Sequence, residues 1–515
     1  MSFPGSFLLS IAACAAAITV AVALLSRTPL ARAPLPVHLL MLVGCGVVGA
    51  AATAIVTKGA PPQDLARSSL THGWIPLSAQ VIAGVALLYG IGRRLSHWWR
   101  WRLPVALVVG VALVASVYWF VASEGLAGEP APWALWGWIG STGVAAGVAV
   151  LGWRGARWRQ RMTSVAAVPM AALSCALVLN GWVGYLPTVS SAWGQLTSGA
   201  VADQTDRATV ASIQDSGVKP AKGVVVSVSI DARRSGFRHR DELVYLPPAW
   251  FASKPPPPLP VVEMIGAEFN TPTDWPRAGN AAITVDDFAA AHGGNAPVLV
   301  FVDAGGKFDV DTECVNGTRG RSADHLTKDV IPFMVANFGV SADPGHWGVA
   351  GFSAGGTCAV DLTVMHPESF SAFVDIAGDL SPNAGTKDQT ISRLFGGSAE
   401  AWAAFDPVTV IDRHGPYRGV SGWFTVADAP SGSAAADVLC GLGRRNGIDC
   451  SVIAQPGNHD WSFAARAFTA ALPWLAGRLG TPGAPAVPSP QAADARPADP
   501  GGGSLAVGHT PRSVP

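Results

Sequence analysis

The amino-acid sequence predicts an α-helical transmembrane region followed by an α/β domain with a mostly parallel central sheet and helices on both faces. Three observations carry this expectation. Apolar residues and tryptophans concentrate before about Pro187, in long stretches nearly free of charge. From Gly223 onward, short apolar runs alternate with helical stretches, the texture of a sheet wrapped by helices. Between one such strand, Trp347-Gly348-Val349-Ala350, and a helix starting near Gly356 stands the pentapeptide Gly351-Phe352-Ser353-Ala354-Gly355.

The 515 residues are enough for two or three domains. Only 14% of them are charged, against about a quarter in an ordinary soluble chain. Lys+Arg and Asp+Glu balance at 35 each, so nothing in the charge points to a nucleic-acid partner. Six apolar stretches, Gly5–Leu25, Val37–Thr57, Ile75–Gly92, Leu103–Ser123, Trp133–Gly152 and Thr163–Leu186, approach the roughly 20 residues that cross a bilayer. Arg27 and Arg32, then Arg93, Arg94, Arg100 and Arg102, then Arg154, Arg157, Arg159 and Arg161 lie in alternate connections, whereas Glu124 and Glu129 lie in another. The positive-inside rule puts the arginines in the cytoplasm and everything after Pro187 outside it. The expected location is therefore a multi-pass cell-membrane protein with an extracytoplasmic domain. Met1–Leu25 has no positive n-region, so no cleaved signal is expected. The span cores lack the ionisable residues of a transport path, which favours an anchor or scaffold over a transporter.

The division expected is a transmembrane region over 1–187, a polar linker over 188–222, the α/β domain over 223–480 and a disordered Pro/Ala/Gly-rich tail over 481–515. Within the domain, Gly223–Ile230 and Phe237–Leu246 predict a strand hairpin. Leu259–Ile265, Ala296–Asp303, His346–Gly351, Ala372–Ile376, Gly422–Val426 and Cys450–Ala454 predict further strands. Helices are expected over Ala323–Phe338 and from Trp461 to Leu479.

Strand, sharp turn and helix are the setting in which an α/β-hydrolase holds a nucleophilic serine clear of its sheet, so Ser353 is the candidate nucleophile. Its hydroxyl needs a base, and the base an orienting acid, in the chain order serine, acid, histidine. His459 lies in the turn Pro456–Trp461, between the last strand and the last helix, where this fold delivers its base. His366 and His414 read as a helix terminus and a loop residue. Asp428 follows the strand Gly422–Val426 and is the favoured acid. Asp379, one strand earlier, is its rival, while Asp375, Asp437 and Asp460 fit less well. Oxyanion donors are expected from the amides of Ala354 and Ala267, with Glu268 as the alternative to the second.

Cys314, Cys358, Cys440 and Cys450 fall in the domain expected outside the cytoplasm, where disulfides persist. The pairing favoured is Cys314–Cys358, tying a long loop beneath the helix after Ser353, and Cys440–Cys450; buried free thiols are the alternative. No spacing suits a zinc site and no glycine-rich loop carries the partners of a nucleotide site, so neither a metal nor a cofactor is expected.

Four segments resemble the esterase family that includes esterase D and the mycobacterial antigen 85 mycolyltransferases: Ser235-Gly236-Phe237 with Val244–Pro248, Gly266 with Asp274-Trp275, Gly351–Gly356 with His366–Phe370, and Gly457–Trp461. They span about Gly223 to Gly480. The resemblance implies an extracytoplasmic α/β-hydrolase acting on acyl esters, with Ser353, Asp428 and His459 as triad and Ala267 and Ala354 as oxyanion donors. Two features depart from the family pattern, Ala464 after Phe463 and the polytopic region itself. The reading reached is a membrane-anchored serine esterase or acyltransferase whose partners are the membrane and an acyl ester or lipid. The competing reading is a non-catalytic hydrolase-fold domain used for envelope binding or as a scaffold.

Overall fold

The computed structural model describes residues 63–92, 98–124, 131–154, 156–197, 200–428 and 434–486. Among the described residues, four helices are long and apolar enough to cross a membrane: α1 (Trp74–Ile91), α2 (Leu103–Glu124), α3 (Trp133–Leu151) and α4 (Trp158–Val183). They coincide with the last four apolar stretches; Gly5–Leu25 and Val37–Thr57 lie outside the described residues. Joined by short connections, they pack α1 on α4, α2 on α3 and α3 on α4. Small residues let the backbones close, since a Cβ added to Gly143 would lie 2.8 Å from Gly110 Cα and one on Gly147 2.9 Å from Ala106 Cα. Leu88, Val108, Val111 and Trp119 are exposed on the outside of this bundle, as expected of helices with no polar face. Arg100, Arg102, Arg154, Arg157, Arg159 and Arg161 cluster at the end where α2 and α4 begin, and the α/β domain leaves from the other end.

Residues 188–197 and 200–222, within the segment 188–222 expected to be a linker, carry secondary structure. They form α5 (Val189–Leu196), a short strand β1 (Gln204–Thr205) and α6 (Arg207–Ser216). Thr188 and Asp206 accept hydrogen bonds from the amides of Ser191 and Thr209 and so cap the two helices. A polar, small-residue segment reads as a loop because caps and a two-residue strand have no apolar period of their own.

The remaining strands of the main sheet are β2 (Val224–Val228), β3 (Glu242–Leu246), β4 (Val261–Ile265), β5 (Val298–Phe301), β6 (Trp347–Phe352), β7 (Ala372–Ile376), β8 (Ser421–Ala427) and β9 (Asp449–Gln455). They form one nine-stranded sheet in the order β1-β2-β3-β5-β4-β6-β7-β8-β9. Only β3 runs antiparallel to its neighbours. β3 starts at Glu242, later than the expected Phe237, because Phe237 and Arg240 donate their amides to Ser235 Oγ and Asp303 Oδ2 instead of to a ladder.

The main helices of the domain are α7 (Ala281–Ala291), α8 (Ile331–Phe338), α9 (Ala354–Met365), α10 (Lys387–Phe395), α11 (Pro407–His414), α12 (Ala434–Arg445) and α13 (Trp461–Arg478). Alternation along each strand divides the core in two. Val261 and Ile265 of β4 face residues of α8, α9, α11 and α12, and Val262 and Met264 face those of α7 and α13. The helix expected over Ala323–Phe338 opens with a wider, π-helical turn over His325–Val330 before α8. At the far end Thr481 is buried and its amide bonds Ala476 O, so the ordered chain runs past the expected start of the tail; residues from 487 lie outside the described ones.

Two disulfides join Cys314 to Cys358 and Cys440 to Cys450. The first spans 44 residues and fixes the loop after β5 to α9. Closing a loop of that length removes about 4 kcal/mol of unfolded-chain entropy. The double substitution Cys314→Ala/Cys358→Ala is therefore expected to lower stability by about that amount, read as a shift in the denaturation midpoint of unreduced protein in detergent.

Several carboxyls are buried without compensation. Both oxygens of Glu263 and of Asp361 lack a hydrogen-bond partner among the described residues, and burial holds both groups well above the usual carboxylate range. Burial, set against a hydrogen bond from the Gly378 amide, also raises Asp375 to about 7. An acid whose folded pKa exceeds its unfolded one keeps its proton only in the folded state. Its contribution is thus full below about pH 4 and is lost as pH rises to about 7, some 4 kcal/mol for Asp375. Asp375→Asn keeps an acceptor for Gly378 and removes this titration. Its melting temperature is expected to fall less than the wild type's between pH 5 and pH 8, by several degrees.

Candidate active site

The site is built at the C-terminal ends of the parallel strands, where loops from several of them converge. β6 ends at Phe352, and α9 begins at Ala354. Ser353 between them takes φ 57° and ψ −123°, a left-handed conformation that non-glycine residues hold only when their surroundings impose it. Its amide donates to Ile376 O of β7 at 2.9 Å, which ties the turn to the sheet. The flanking glycines are required by close approach. A Cβ on Gly351 would lie 1.9 Å from Gly355 O, one on Gly355 2.4 Å from Gly266 O, and one on Gly356 2.4 Å from Asp375 Oδ1.

Ser353 Oγ and His459 Nε2 are 2.9 Å apart. His459 sits between β9 and α13, against the Phe352 ring at 4.9 Å between centroids. Asp460 next to it is turned away, accepting the Phe463 amide as the cap of α13. His366 pairs with Glu368, and His414 stacks on Tyr417, both engaged elsewhere.

Of the acids weighed for the triad, Asp428 is exposed at the end of β8, and its amide donates to Gln455 O at the end of β9, the strand from which the His459 turn departs. Asp379 is placed differently: its carboxylate accepts from Asn383 Nδ2 and its amide donates to Thr357 Oγ1. Asp437 lies exposed on α12.

Gly266, Ala267 and Asn270 from the loop after β4 line one cavity together with Ala354 and Gly355. Among the described residues no acceptor takes the amide of Ala267 or Ala354. Asn270 Nδ2 donates to Ala267 O at 2.6 Å and so fixes the loop that carries the first of them.

A further part of the wall of that cavity was not anticipated from the sequence. It is formed by Val310, Asp311, Thr312, Glu313 and Cys314. Glu313 and Cys314 both hold positive φ, 49° and 51°, and the Cys314–Cys358 disulfide fastens this wall to the helix behind Ser353. Burial and then the charges of Asp311 and Asp379 raise the Glu313 carboxyl well above its ordinary range, and burial likewise raises Asp311. The run Asp309-Val310-Asp311-Thr312-Glu313 is the only trace of this in the sequence, and alternating acids read equally well as a solvated loop.

Outside this site, His239, Glu242 and His325 bring one potential metal-ligating atom each within 4.8 Å of one another. Both ring nitrogens of His325 are engaged there, Nε2 with Glu242 Oε1 at 2.9 Å and Nδ1 with Asp329 Oδ2 at 3.4 Å. Burial opposes the charged ring, yet the two carboxylates outweigh it and raise its pKa. The group therefore reads as a buried histidine bonded between two carboxylates.

The family match agrees with this geometry. Residues 238–440 match the model of the family described as Putative esterase. An uncharacterized protein of Corynebacterium glutamicum is 29% identical over 421 residues, covering 78% of this chain and 95% of the relative. That span is longer than the chain from Thr188 to its end, so the likeness reaches into the helical region. Among solved structures, a ferulic acid esterase aligns with a TM-score of 0.43 and 20% identity, covering 49% of this chain and 97% of its own. An S-formylglutathione hydrolase from Agrobacterium tumefaciens aligns with a TM-score of 0.43 and 17% identity, covering 51% and 98%. With a strained serine between strand and helix and a histidine in reach of its hydroxyl, in a domain whose residues 238–440 match the Putative esterase model, the chain is a serine hydrolase.

Proposed function

We propose that the protein is a membrane-anchored serine esterase or acyltransferase working outside the cytoplasm through Ser353, His459 and Asp428. The observation that carries this is the 2.9 Å contact between Ser353 Oγ and His459 Nε2 at a serine held in a left-handed turn. Ser353 Oγ attacks the carbonyl carbon of an acyl ester while its proton passes to His459 Nε2. The amides of Ala267 and Ala354 hold the negative oxygen that forms. Collapse expels the alcohol, which takes the proton from His459 and leaves an acyl-serine. Water or a sugar or lipid hydroxyl then repeats the sequence in reverse, giving hydrolysis or transfer. Asp428 orients the imidazole from the end of β8; its position beside β9 favours it over Asp379, whose carboxylate is held by Asn383.

The outward orientation rests on charge. The arginines lie at the end of the bundle opposite the domain, and the positive-inside rule assigns that end to the cytoplasm. Both disulfides suit an oxidising compartment. A lipid of the cell envelope as acyl donor, in the manner of a mycolyltransferase, is favoured by the exposed rings of Phe269 and Phe308 close to the exit of α4.

A fluorophosphonate is expected to label the wild-type chain and not Ser353→Ala; equal labelling of both would refute the nucleophile. Asp428→Asn is expected to lower kcat towards a short acyl ester by roughly 10⁴-fold, the loss seen when a triad histidine is left in the wrong tautomer. Asp379→Asn should cost far less. Reversal of the two would transfer the acid's role to Asp379.

A further inference from the structure

We infer that the segment leaving the last membrane helix is part of the active-site framework, with Tyr185 acting as a positioning residue for the oxyanion loop that follows β4. This rests on the serine-hydrolase reading of Ser353 and adds to it a role for the membrane region beyond anchoring.

α4 is stopped by its own Asn180, whose side chain binds Leu186 N and Leu186 O at 2.7 and 2.9 Å, and the chain turns at Gly184 in a left-handed conformation. That turn throws Tyr185 onto the domain. Its hydroxyl donates to Asp274 Oδ1 at 2.7 Å and accepts from Gln195 Nε2 at 3.0 Å. Arg277 in turn donates to Gln195 Oε1.

Asp274 is the residue that closes the oxyanion loop. It is buried, and its carboxylate also accepts from the Thr271 amide at 2.8 Å and the Thr271 hydroxyl at 2.5 Å. Trp275 beside it donates its indole N–H to Ile265 O at 2.8 Å, where the loop begins. The stretch from Gly266 to Thr273, with Ala267 near its start, is thus held at both ends by this pair. A buried carboxylate needs its donors, and Tyr185 is the donor that the membrane region supplies.

The same segment touches two further parts of the site. A Cβ on Gly184 would lie 3.4 Å from Asp460 Cβ and from Trp461 N, immediately after His459. The Tyr185 ring meets the edge of Phe308 at 6.5 Å, and Phe308 meets Phe269 at 6.0 Å, two residues beyond Ala267. Val183 and Tyr185 pack against the core face formed by Trp275, Phe352 and Trp461. One short stretch of chain therefore borders the oxyanion loop, the histidine turn and the exposed ring pair Phe269–Phe308.

An oxyanion donor displaced by a fraction of an ångström binds substrate as before and stabilises the transition state less well. The test uses the full chain in detergent or nanodiscs and a short soluble acyl ester. Tyr185→Phe is expected to lower kcat roughly tenfold with KM little changed, below the 10²–10³-fold lost when a donor is deleted outright. Asp274→Asn is expected to lower kcat by a similar factor. The double variant should then be no worse than the poorer single, because both act through one contact. An unchanged kcat in Tyr185→Phe, a rise in KM alone, or losses that multiply in the double variant would overturn the inference. If Tyr185→Phe does not fold, Asp274→Asn decides on the same kcat–KM split, and an unchanged kcat overturns it. Fluorophosphonate labelling of the wild type separates the premises: no labelling means that the nucleophile is misassigned, whereas labelling with an unaffected Tyr185→Phe means that only the positioning role fails.

Discussion

The near-contact of backbones at the turn between β6 and α9 is the constraint on which the rest of the domain depends. Gly351 faces the Gly355 carbonyl, Gly355 faces the Gly266 carbonyl, and Gly356 faces the Asp375 carboxyl, each closer than any Cβ allows. This proximity forces Ser353 into its left-handed conformation and lifts its hydroxyl to His459. It also brings the loop after β4 against the start of α9, so that the amides of Ala267 and Ala354 border one cavity. Strain in one residue is sustained by parallel strands on either side, β4 and β7, which cannot shift without breaking the sheet.

Around that turn the domain holds acids in places that favour neither charge nor solvation. Glu263, Asp361, Asp375 and Glu313 are all buried, and burial leads the causes that raise each of them. Neutral carboxyls avoid the larger desolvation cost of a buried charge but leave polar atoms unmatched. The two disulfides and the nine-stranded sheet supply stability against which such groups are tolerated. Glu313 is set apart by its place in the cavity wall, where its protonation bears on the field that an acyl ester meets.

The helical bundle and the domain meet through specific polar contacts as well as through apolar surface. Tyr185 with Asp274 is one, and the Arg393 side chain donating to Ser123 O at the end of α2 is another. Such contacts have direction, whereas packing between apolar faces alone would leave the domain free to slide or rotate. They fix the domain beside the helix ends.

Much of this was legible in the sequence, because its signals are local. The four long apolar helices among the described residues stand where hydropathy puts them. Gly351–Gly355 announces the serine turn because steric exclusion acts between near neighbours, and His459 is found by its place between the last strand and the last helix. Residues 188–222 misled, because caps and a two-residue strand carry no period. The acid is only half legible: Asp428 and Asp379 both end strands, and their separation depends on which turn each faces. The wall of Asp311 and Glu313, the pairing of Tyr185 with Asp274 and the meeting of Ser353 with His459 join residues far apart in the chain. By itself the sequence determined the long apolar helices and the serine turn, each governed by forces between neighbours. Which distant side chains share one cavity was decided only by the packing of the sheet, since that packing alone brings the ends of β4, β6, β8 and β9 together.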